Sequence, residues 1–261
     1  MIPHHTVDGS GETIVLLNSL GATLDMWQPQ VVPLSTRFRL VRLDFRGHGG
    51  TPFETGADPA RLSVDDLARD VLDLLDHLGI GRAHVVGVSL GGVVGMRLAY
   101  KWGDRLLRLA LVSTAAKIGT AEGWQERADL VRAAGCAAVS GPAMDRWFSP
   151  AFLADHPETV AGFRERFDAC DPEGYAACCE ALGRTDLREQ VPEMYVPSIV
   201  LSGTEDEVTT VADAAFLEER LPNARKVLAE GAKHLLTTER ADWTNRILAS
   251  FFREFEVGVD L

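Results

Sequence analysis

The chain has 261 residues, a formal net charge of −12 and 46% hydrophobic residues. This length suits one sizeable α/β domain with a large buried core. The negative charge disfavours nucleic acid or an anionic membrane surface as a partner. No apolar run reaches membrane-spanning length and the N-terminus lacks the form of a signal peptide, so we expect a cytoplasmic protein.

The first predicted elements are strands. Residues 6–17 hold two apolar stretches around the turn sequence DGSG, which predicts a β-hairpin. Arg39–Leu43 is predicted as the next strand. Residues 63–78 follow with the period of a helix, and Ser63 with Asp66 three residues later is typical of a helix start.

A serine lies between a predicted strand and a predicted helix. The apolar run Ala83–Val88 leads into the sequence GVSLG, with Ser89 at its centre, and an apolar helical run continues to Tyr100. Strand, sharp turn and helix in this order are typical of a nucleophile elbow, which needs small residues two before and two after the serine. Gly87 and Gly91 meet that need, so we predict that Ser89 is a catalytic nucleophile.

An acid and a histidine follow Ser89 in the chain order of a serine hydrolase. Asp206 comes after the predicted strand 197–202, and His234 comes after the predicted strand 224–228. Residues at the carboxyl ends of parallel strands meet at one edge of a sheet. His234 would accept the serine proton, and Asp206 would hold its tautomer.

The acid has two competitors, because Glu205 and Glu207 flank Asp206. Asp is shorter and suits a tight turn, which favours Asp206. The turn after the preceding strand, Leu106–Val112, carries no carboxylate.

Among the histidines, only His234 combines the chain order with a strand-end setting. His48 also follows a strand, in the loop DFRGHG, but it precedes the serine, and we interpret it as structural. The remaining histidines are His4, His5, His77, His84 and His156.

Two backbone N–H groups are needed to bind the carbonyl oxygen as it gains negative charge. The first is predicted at Leu90, directly after the nucleophile. The second is predicted at Leu20, in the loop NSLG that follows the strand Thr13–Leu17.

The region after residue 113 departs from the alternation of strands and helices. Helices are predicted at 122–134, 142–147, 157–169 and 174–182, with no strand before residue 197. The rest of the chain predicts an α/β fold with a mostly parallel sheet and helices on both faces. We therefore predict a core of residues 1–116 and 189–261 and an inserted helical cap, 117–188, that covers the strand ends and excludes water.

The predicted cap offers both cations and flat apolar side chains. An arginine there could bind a substrate carboxylate, although such residues also serve as solvated surface or core packing. The candidates for substrate binding are Trp124, Arg127, Arg132, Arg146 and Trp147.

Metal binding is not indicated by the cysteines. All four lie in the middle third of the chain without the spacing of metal ligands, and we interpret them as packed thiols. We expect neither a metal nor a cofactor. The four are Cys136, Cys170, Cys178 and Cys179.

Nearly the whole chain resembles the α/β-hydrolases, and among them the 3-oxoadipate enol-lactonases. The resemblance lies in the runs NSLG at 18–21 with Met26-Trp27, DFRGHG at 44–49, GVSLGG at 87–92, STAAKIGT at 113–120, RWFSP at 146–150 and GYAACC at 174–179. The cap runs are the more specific ones, since the elbow marks only the fold.

The resemblance implies hydrolysis of an enol-lactone in aromatic catabolism without a cofactor. It implies the nucleophile, acid and base at Ser89, Asp206 and His234, and the oxyanion N–H groups at Leu20 and Leu90. The same machinery would serve a broad-range carboxylesterase or a related lactonase. A non-catalytic ligand-binding protein on this fold is disfavoured because all three triad residues are present in order. We make no prediction of oligomeric state.

Overall fold

A seven-stranded sheet forms the centre of the protein, as described by a computed structural model for residues 1–54 and 62–253. The strand order is β1-β3-β2-β4-β5-β6-β7; β1 is antiparallel to β3, and the other pairs are parallel. The predicted α/β fold is therefore confirmed, while residues 55–61 and 254–261 of the predicted core lie outside this description. The strands are β1 (His5–Asp8), β2 (Thr13–Leu17), β3 (Arg39–Leu43), β4 (Ala83–Val88), β5 (Leu106–Val112), β6 (Ser198–Gly203) and β7 (Ala224–Ala229).

Helices connect the strands and cover the sheet. Within residues 1–54 and 62–253, none of them has the length and apolar character needed to cross a membrane. The helices are α1 (Gln28–Ser35), α2 (Val64–His77), α3 (Leu90–Trp102), α4 (Ala121–Ala134), α5 (Ala137–Trp147), α6 (Pro150–Asp155), α7 (Pro157–Asp168), α8 (Pro172–Arg184), α9 (Val211–Arg220), α10 (Leu236–Glu239) and α11 (Ala241–Arg253).

Successive residues of β4 show that the sheet is covered on both faces. The His84 ring lies 4.6 Å from the ring of Phe252 on α11. The neighbouring Val85 side chain instead lies beside Gly95 of α3. Because successive side chains of a strand point to opposite faces, α11 and α3 pack on opposite sides. Every residue of β4 is buried, as expected for a strand between two helical layers.

The predicted hairpin over residues 6–17 is wrong. β1 pairs with β3, and β2 lies on the other side of β3, between β3 and β4. The glycines between β1 and β2 allow this connection to pack closely against the residue before β3. A Cβ on Gly9 would lie 2.4 Å from the Phe38 carbonyl oxygen. Turn residues between two strands predicted a bend correctly, but they do not determine which strand is the neighbour.

No strand occurs between β5 and β6, as predicted, but two of the helices there differ. α5 begins at Ala137 rather than at residue 142, and Pro142 lies inside it. Proline is common at the first position of a helix, so the sequence pattern predicts a start at Pro142, which is five residues after the observed start. α6 was not predicted because six residues are too few to show a period, although Ser149 caps it by accepting a hydrogen bond from the Phe152 N–H.

Residues 117–188, here called the cap segment, contact loops at the carboxyl ends of the strands. The Asp171 N–H donates to the Gly47 carbonyl at 2.9 Å, beyond β3. The Leu235 N–H, beyond β7, donates to the carbonyl of Trp147 at 3.0 Å. The segment therefore lies over the edge of the sheet where the predicted site residues are found. Its status as a separate domain stays a prediction.

A substitution at the end of β6 tests how tightly this edge is packed. A Cβ on Gly203 would lie 2.1 Å from the carbonyl oxygen of Ala232, in the loop before His234. Gly203→Ala should therefore force the two segments apart and cost about 1–3 kcal/mol of unfolding free energy. Gly81→Ala is the matched control, since nothing lies within 4 Å of its added Cβ. Urea denaturation measures both, and equal stabilities would contradict the close approach.

Candidate active site

Ser89 lies in a strained turn between β4 and α3. Its φ of 55° and ψ of −114° are unusual for a residue with a side chain. The flanking glycines permit this turn, because a Cβ on Gly87 would meet the Gly91 carbonyl oxygen at 2.2 Å. A Cβ on Gly91 would meet the Leu17 carbonyl oxygen at 2.3 Å. The spacing recognised in the sequence is thus a consequence of three backbone segments in close contact.

Hydrogen bonds to neighbouring strand ends hold this turn in place. The Ser89 N–H donates to the carbonyl of Val112 at 3.1 Å. The Ser89 carbonyl accepts a hydrogen bond from the Thr114 hydroxyl at 2.8 Å. Because both partners follow or end β5, the position of Ser89 is set by the sheet.

His234 and Asp206 are paired inside the protein. His234 Nδ1 lies 2.8 Å from Asp206 Oδ2, and both side chains are almost completely buried. Asp206 also accepts hydrogen bonds from the N–H groups of Val208 and Thr209 and from the Thr209 hydroxyl. These donors fix the carboxylate, and the carboxylate in turn fixes the imidazole ring.

The charge state of Asp206 determines the histidine tautomer. Burial alone would raise the pKa of this carboxyl, but interaction with His234 and the hydrogen bonds from Thr209 and Val208 outweigh burial and lower the pKa. An ionised carboxylate can only accept, so the hydrogen is on Nδ1 of His234. In the neutral ring this leaves Nε2 free to accept a proton.

Only one of the three consecutive acids contacts the histidine. Glu205 and Glu207 are exposed, whereas Asp206 is buried and bonded to His234. Within the described residues, no hydrogen bond joins Ser89 to His234. In those same residues, no three His, Cys, Asp or Glu side chains are grouped so as to hold a metal ion.

The two predicted oxyanion N–H groups belong to neighbouring segments. Leu90 is the first residue of α3, and Leu20 lies in a turn closed by a 3.1 Å hydrogen bond from the Ala22 N–H to the Ser19 carbonyl. The Gly91 N–H donates to the Asn18 carbonyl at 3.0 Å, which joins the two segments directly.

The two candidate tryptophans of the cap segment are both held by contacts within that segment. The indole N–H of Trp124 donates to the Ile118 carbonyl at 2.6 Å, at the start of the same segment. Trp147 is buried, with its ring against those of Phe163 and Phe167. Both positions support the shape of the cap segment.

The three candidate arginines have different surroundings. Arg132 forms ion pairs with Glu180 at 2.5 Å and Glu173 at 3.0 Å, and the first of these hydrogen bonds is the main cause of its raised pKa. Arg127 donates to the Tyr175 hydroxyl at 2.7 Å, and Arg146 is half-buried. Neither has a carboxylate partner within the described residues.

Arg127 and Arg146 are close enough to repel each other. Burial, and after it repulsion from Arg127, lowers the pKa of the Arg146 guanidinium. Two neighbouring cations that form no ion pair among the described residues attract an anion more strongly than an arginine already paired with carboxylates does, although Asp145 and Glu207 also act on Arg146 from a longer distance. Arg127 and Arg146 are therefore better placed for an anion than Arg132.

Comparison with known proteins identifies the family. A family model described as the alpha/beta hydrolase fold matches residues 12–241.

The chain belongs to the α/β-hydrolase family.

Relatives and a solved structure narrow the kind of hydrolase. The chain is similar to 3-oxoadipate enol-lactonase 2 of Acinetobacter baylyi, with 38% identity over 242 residues, 93% of this chain and 89% of the relative. It is 33% identical over 244 residues to 3-oxoadipate enol-lactonase 1 of the same organism, with the same coverage. The crystal structure of an enol-lactonase from Burkholderia xenovorans LB400 has a TM-score of 0.92 and 40% identity, covering 96% of each chain. This α/β-hydrolase is therefore a hydrolase of the lactonase and esterase kind.

The structure shows three further residues of this α/β-hydrolase in contact with predicted site residues or their loops. Thr209 holds the Asp206 carboxylate, Tyr175 accepts a hydrogen bond from Arg127, and His48 contacts the loop that carries Leu20. Thr209 could have been suspected from its position three residues after an acid in a turn. Both His48 and Tyr175 lie in sequence runs that resemble the family, but their partners are 27 and 48 residues away, so the sequence did not indicate these contacts.

Substitution of the acids tests which one acts on His234. Asp206→Asn should lower kcat by roughly 10³- to 10⁴-fold, because an amide can force the wrong histidine tautomer. Glu205→Gln and Glu207→Gln, which change exposed side chains, serve as matched controls and should change kcat less than about threefold. Steady-state kinetics on an ester substrate measures all three variants. A larger loss of kcat in either glutamate variant than in Asp206→Asn would show that this glutamate, rather than Asp206, is the acid that acts on His234.

Proposed function

We propose that this chain is a serine hydrolase that opens 3-oxoadipate enol-lactone to 3-oxoadipate through an acyl-enzyme, in aromatic-compound catabolism. The observation that carries the proposal is the buried His234–Asp206 pair at the same sheet edge as the strained turn of Ser89. The similarity to enol-lactonases at 38–40% identity supports the choice of substrate.

The first half of the reaction forms the acyl-enzyme. Ser89 Oγ attacks the lactone carbonyl while His234 Nε2 takes its proton, and the resulting imidazolium is stabilised by the Asp206 carboxylate. The N–H groups of Leu20 and Leu90 bind the oxygen that becomes negative. When the intermediate collapses, the ring C–O bond breaks and the enol oxygen receives the proton from His234.

The chemistry of an enol-lactone makes this step one-directional. The leaving group stays tethered to the acyl chain, so an alcohol of the same structure could close the ring again. An enol instead tautomerises to a ketone, which is a poor nucleophile. Ring opening is therefore followed by hydrolysis rather than by re-closure.

The second half of the reaction uses the same groups on water. His234 Nε2 takes a proton from water, and the oxygen attacks the acyl carbon. As the tetrahedral intermediate collapses, Ser89 Oγ leaves and recovers that proton from His234. The product is a diacid, and the new carboxyl group releases its proton to solvent.

The cap segment supplies a receptor for the carboxylate that the substrate carries away from its ester. Arg127 and Arg146 are neighbouring cations without a carboxylate partner in the described residues, and Arg146 lies between two residues whose carbonyls bind the His234 loop. Arginine also binds carboxylates with two parallel hydrogen bonds. The receptor is thus adjacent to the proposed base, as a small substrate requires.

Removal of the proposed nucleophile tests the mechanism. Ser89→Ala should lower kcat on the order of 10⁴-fold or more and abolish covalent labelling by a fluorophosphonate, because no acyl-enzyme can form. Ser113→Ala is the matched control: Ser113 is also a buried serine with positive φ (44°), at the end of the neighbouring strand β5. Intact-protein mass spectrometry and lactone kinetics report the result. Retained activity in Ser89→Ala would refute the proposal.

Arginine variants test the substrate class and separate a lactonase from a broad-range carboxylesterase. Arg127→Met and Arg146→Met should each lose about 1.5–3 kcal/mol in kcat/KM for the enol-lactone, through the lost charge-assisted hydrogen bond, and little for p-nitrophenyl acetate. Arg164→Met is the control, since the only ion pair or hydrogen bond of the Arg164 side chain in the described residues is a 4.0 Å ion pair with Asp168 on the surface. Arg132→Met should instead lower thermal stability, because it leaves the Glu180 carboxylate buried without its cationic partner.

The ratio of kcat/KM for the enol-lactone to kcat/KM for p-nitrophenyl acetate decides between a lactonase and a broad-range carboxylesterase. Equal losses on the lactone and the neutral ester, or no loss on either in both variants, would contradict the carboxylate receptor. A wild-type enzyme that turns over p-nitrophenyl acetate faster than the enol-lactone would favour the carboxylesterase.

A further inference from the structure

His48 is one of the most completely buried polar residues of the protein, and both of its ring nitrogens are engaged. Nε2 lies 3.0 Å from the backbone nitrogen of Gly21, and Nδ1 lies 3.0 Å from the carbonyl oxygen of Arg46. The side chain is fully shielded from solvent. The His48 ring therefore does more than occupy volume in the core, because the two hydrogen bonds fix its orientation.

The partners determine the tautomer of His48. The Gly21 N–H can only donate, so Nε2 carries no hydrogen. The Arg46 carbonyl can only accept, so Nδ1 carries the hydrogen. His48 is therefore a neutral imidazole that bonds two backbone groups on two different loops.

Gly21 belongs to the turn that contains Leu20. The Ala22 N–H closes this turn on the Ser19 carbonyl at 3.1 Å, and Gly21 has a φ of +81°. A positive φ at the third of four residues is the geometry of a type II turn. Types I and II differ by a flip of the central peptide, whose N–H is that of Gly21. The acceptor on His48 therefore fixes the central peptide of the turn, which begins at the carbonyl of Leu20.

The cap segment encloses this contact. A Cβ on Gly21 would lie 2.3 Å from the ring of Phe167, and the Tyr175 ring packs at 6.1 Å from that of His48. The Asp171 N–H donates to the Gly47 carbonyl beside it. The cap segment thus shields the hydrogen bond between the Gly21 N–H and His48 from water. Within the described residues, this is the only hydrogen bond that the Gly21 N–H makes.

We propose that His48 is a positioning residue for the oxyanion hole: its Nε2 accepts from the Gly21 N–H and anchors the Ser19–Ala22 turn, which keeps the Leu20 N–H in place for the substrate carbonyl oxygen. This rests on the proposed function, since it assumes that Leu20 binds that oxygen. His48 touches no reacting atom and acts only through Gly21. Its loss should therefore weaken transition-state binding more than substrate binding.

Two substitutions separate the hydrogen bond from the volume of the ring. The amide oxygen of a glutamine reaches the Nε2 position and can accept from Gly21, whereas the shorter asparagine reaches only the Nδ1 position. His48→Asn should lower kcat roughly 10- to 100-fold with KM changed less than about twofold, and His48→Gln should recover most of the lost kcat. His84→Asn is the matched control, because His84 is also buried but packs against Phe38 and Phe252 on the sheet. It should lower stability and leave kcat unchanged.

A second measurement uses a mimic of the tetrahedral intermediate. Butylboronic acid forms a tetrahedral adduct with an active serine and places an oxygen in the oxyanion hole. Its affinity should fall in His48→Asn by the same factor as kcat/KM, while inhibition by the product 3-oxoadipate stays unchanged. Equal losses in boronate and product binding would overturn the proposal, because they would indicate a general distortion.

The outcomes distinguish this inference from the proposed function. Full activity of Ser89→Ala would overturn the proposed function. Wild-type kcat in His48→Asn, or equal losses in the asparagine and glutamine variants, would overturn only the role of His48. If both variants fail to fold, the imidazole ¹⁵N spectrum of the wild-type protein decides. A neutral ring with hydrogen on Nδ1 at pH 7 is expected, and hydrogen on Nε2 would overturn the proposal.

Discussion

The arrangement of the site depends on the close approach of the start of α3 to strands β2 and β4. Backbone atoms of Gly91 pack directly against the Leu17 carbonyl, leaving no room for a Cβ. This contact places Leu90 beside the loop that begins at Asn18, and it forces Ser89 into a conformation with positive φ. Strands β2 and β4 are buried along their whole length, so the strained turn cannot relax without separating a helix from these strands.

The sequence was sufficient where the structure follows from local constraints. The strand boundaries of β3, β4 and β5, the start of α2 at Ser63 and the glycines around Ser89 could be predicted, because each depends on a short pattern of burial, capping or turn geometry. The neighbour of β1 could not be predicted, since strand pairing is a long-range property. The pairing of Asp206 with His234 was predicted from chain order, but the roles of Thr209 and Tyr175 depend on contacts that only the folded chain creates.

The cap arginines illustrate the same limit in electrostatic terms. Arg127, Arg132 and Arg146 are equivalent in the sequence, yet one is neutralised by two glutamates and the other two are not. The difference arises because Arg132 lies on the side of α4 that faces α8, where Glu173 and Glu180 are located. Composition does not indicate this difference, since a net charge of −12 says nothing about which arginines form ion pairs.

The loop of His234 is attached to the end of α5 on both sides of the histidine. Lys233 donates from Nζ to the Asp145 carbonyl at 2.9 Å, and the Leu235 N–H donates to the Trp147 carbonyl at 3.0 Å. The end of α5 therefore holds the main chain on either side of the imidazole, while Asp206 holds the ring itself. A substitution that displaced the end of α5 would shift the backbone of His234 without touching any side chain of the proposed triad.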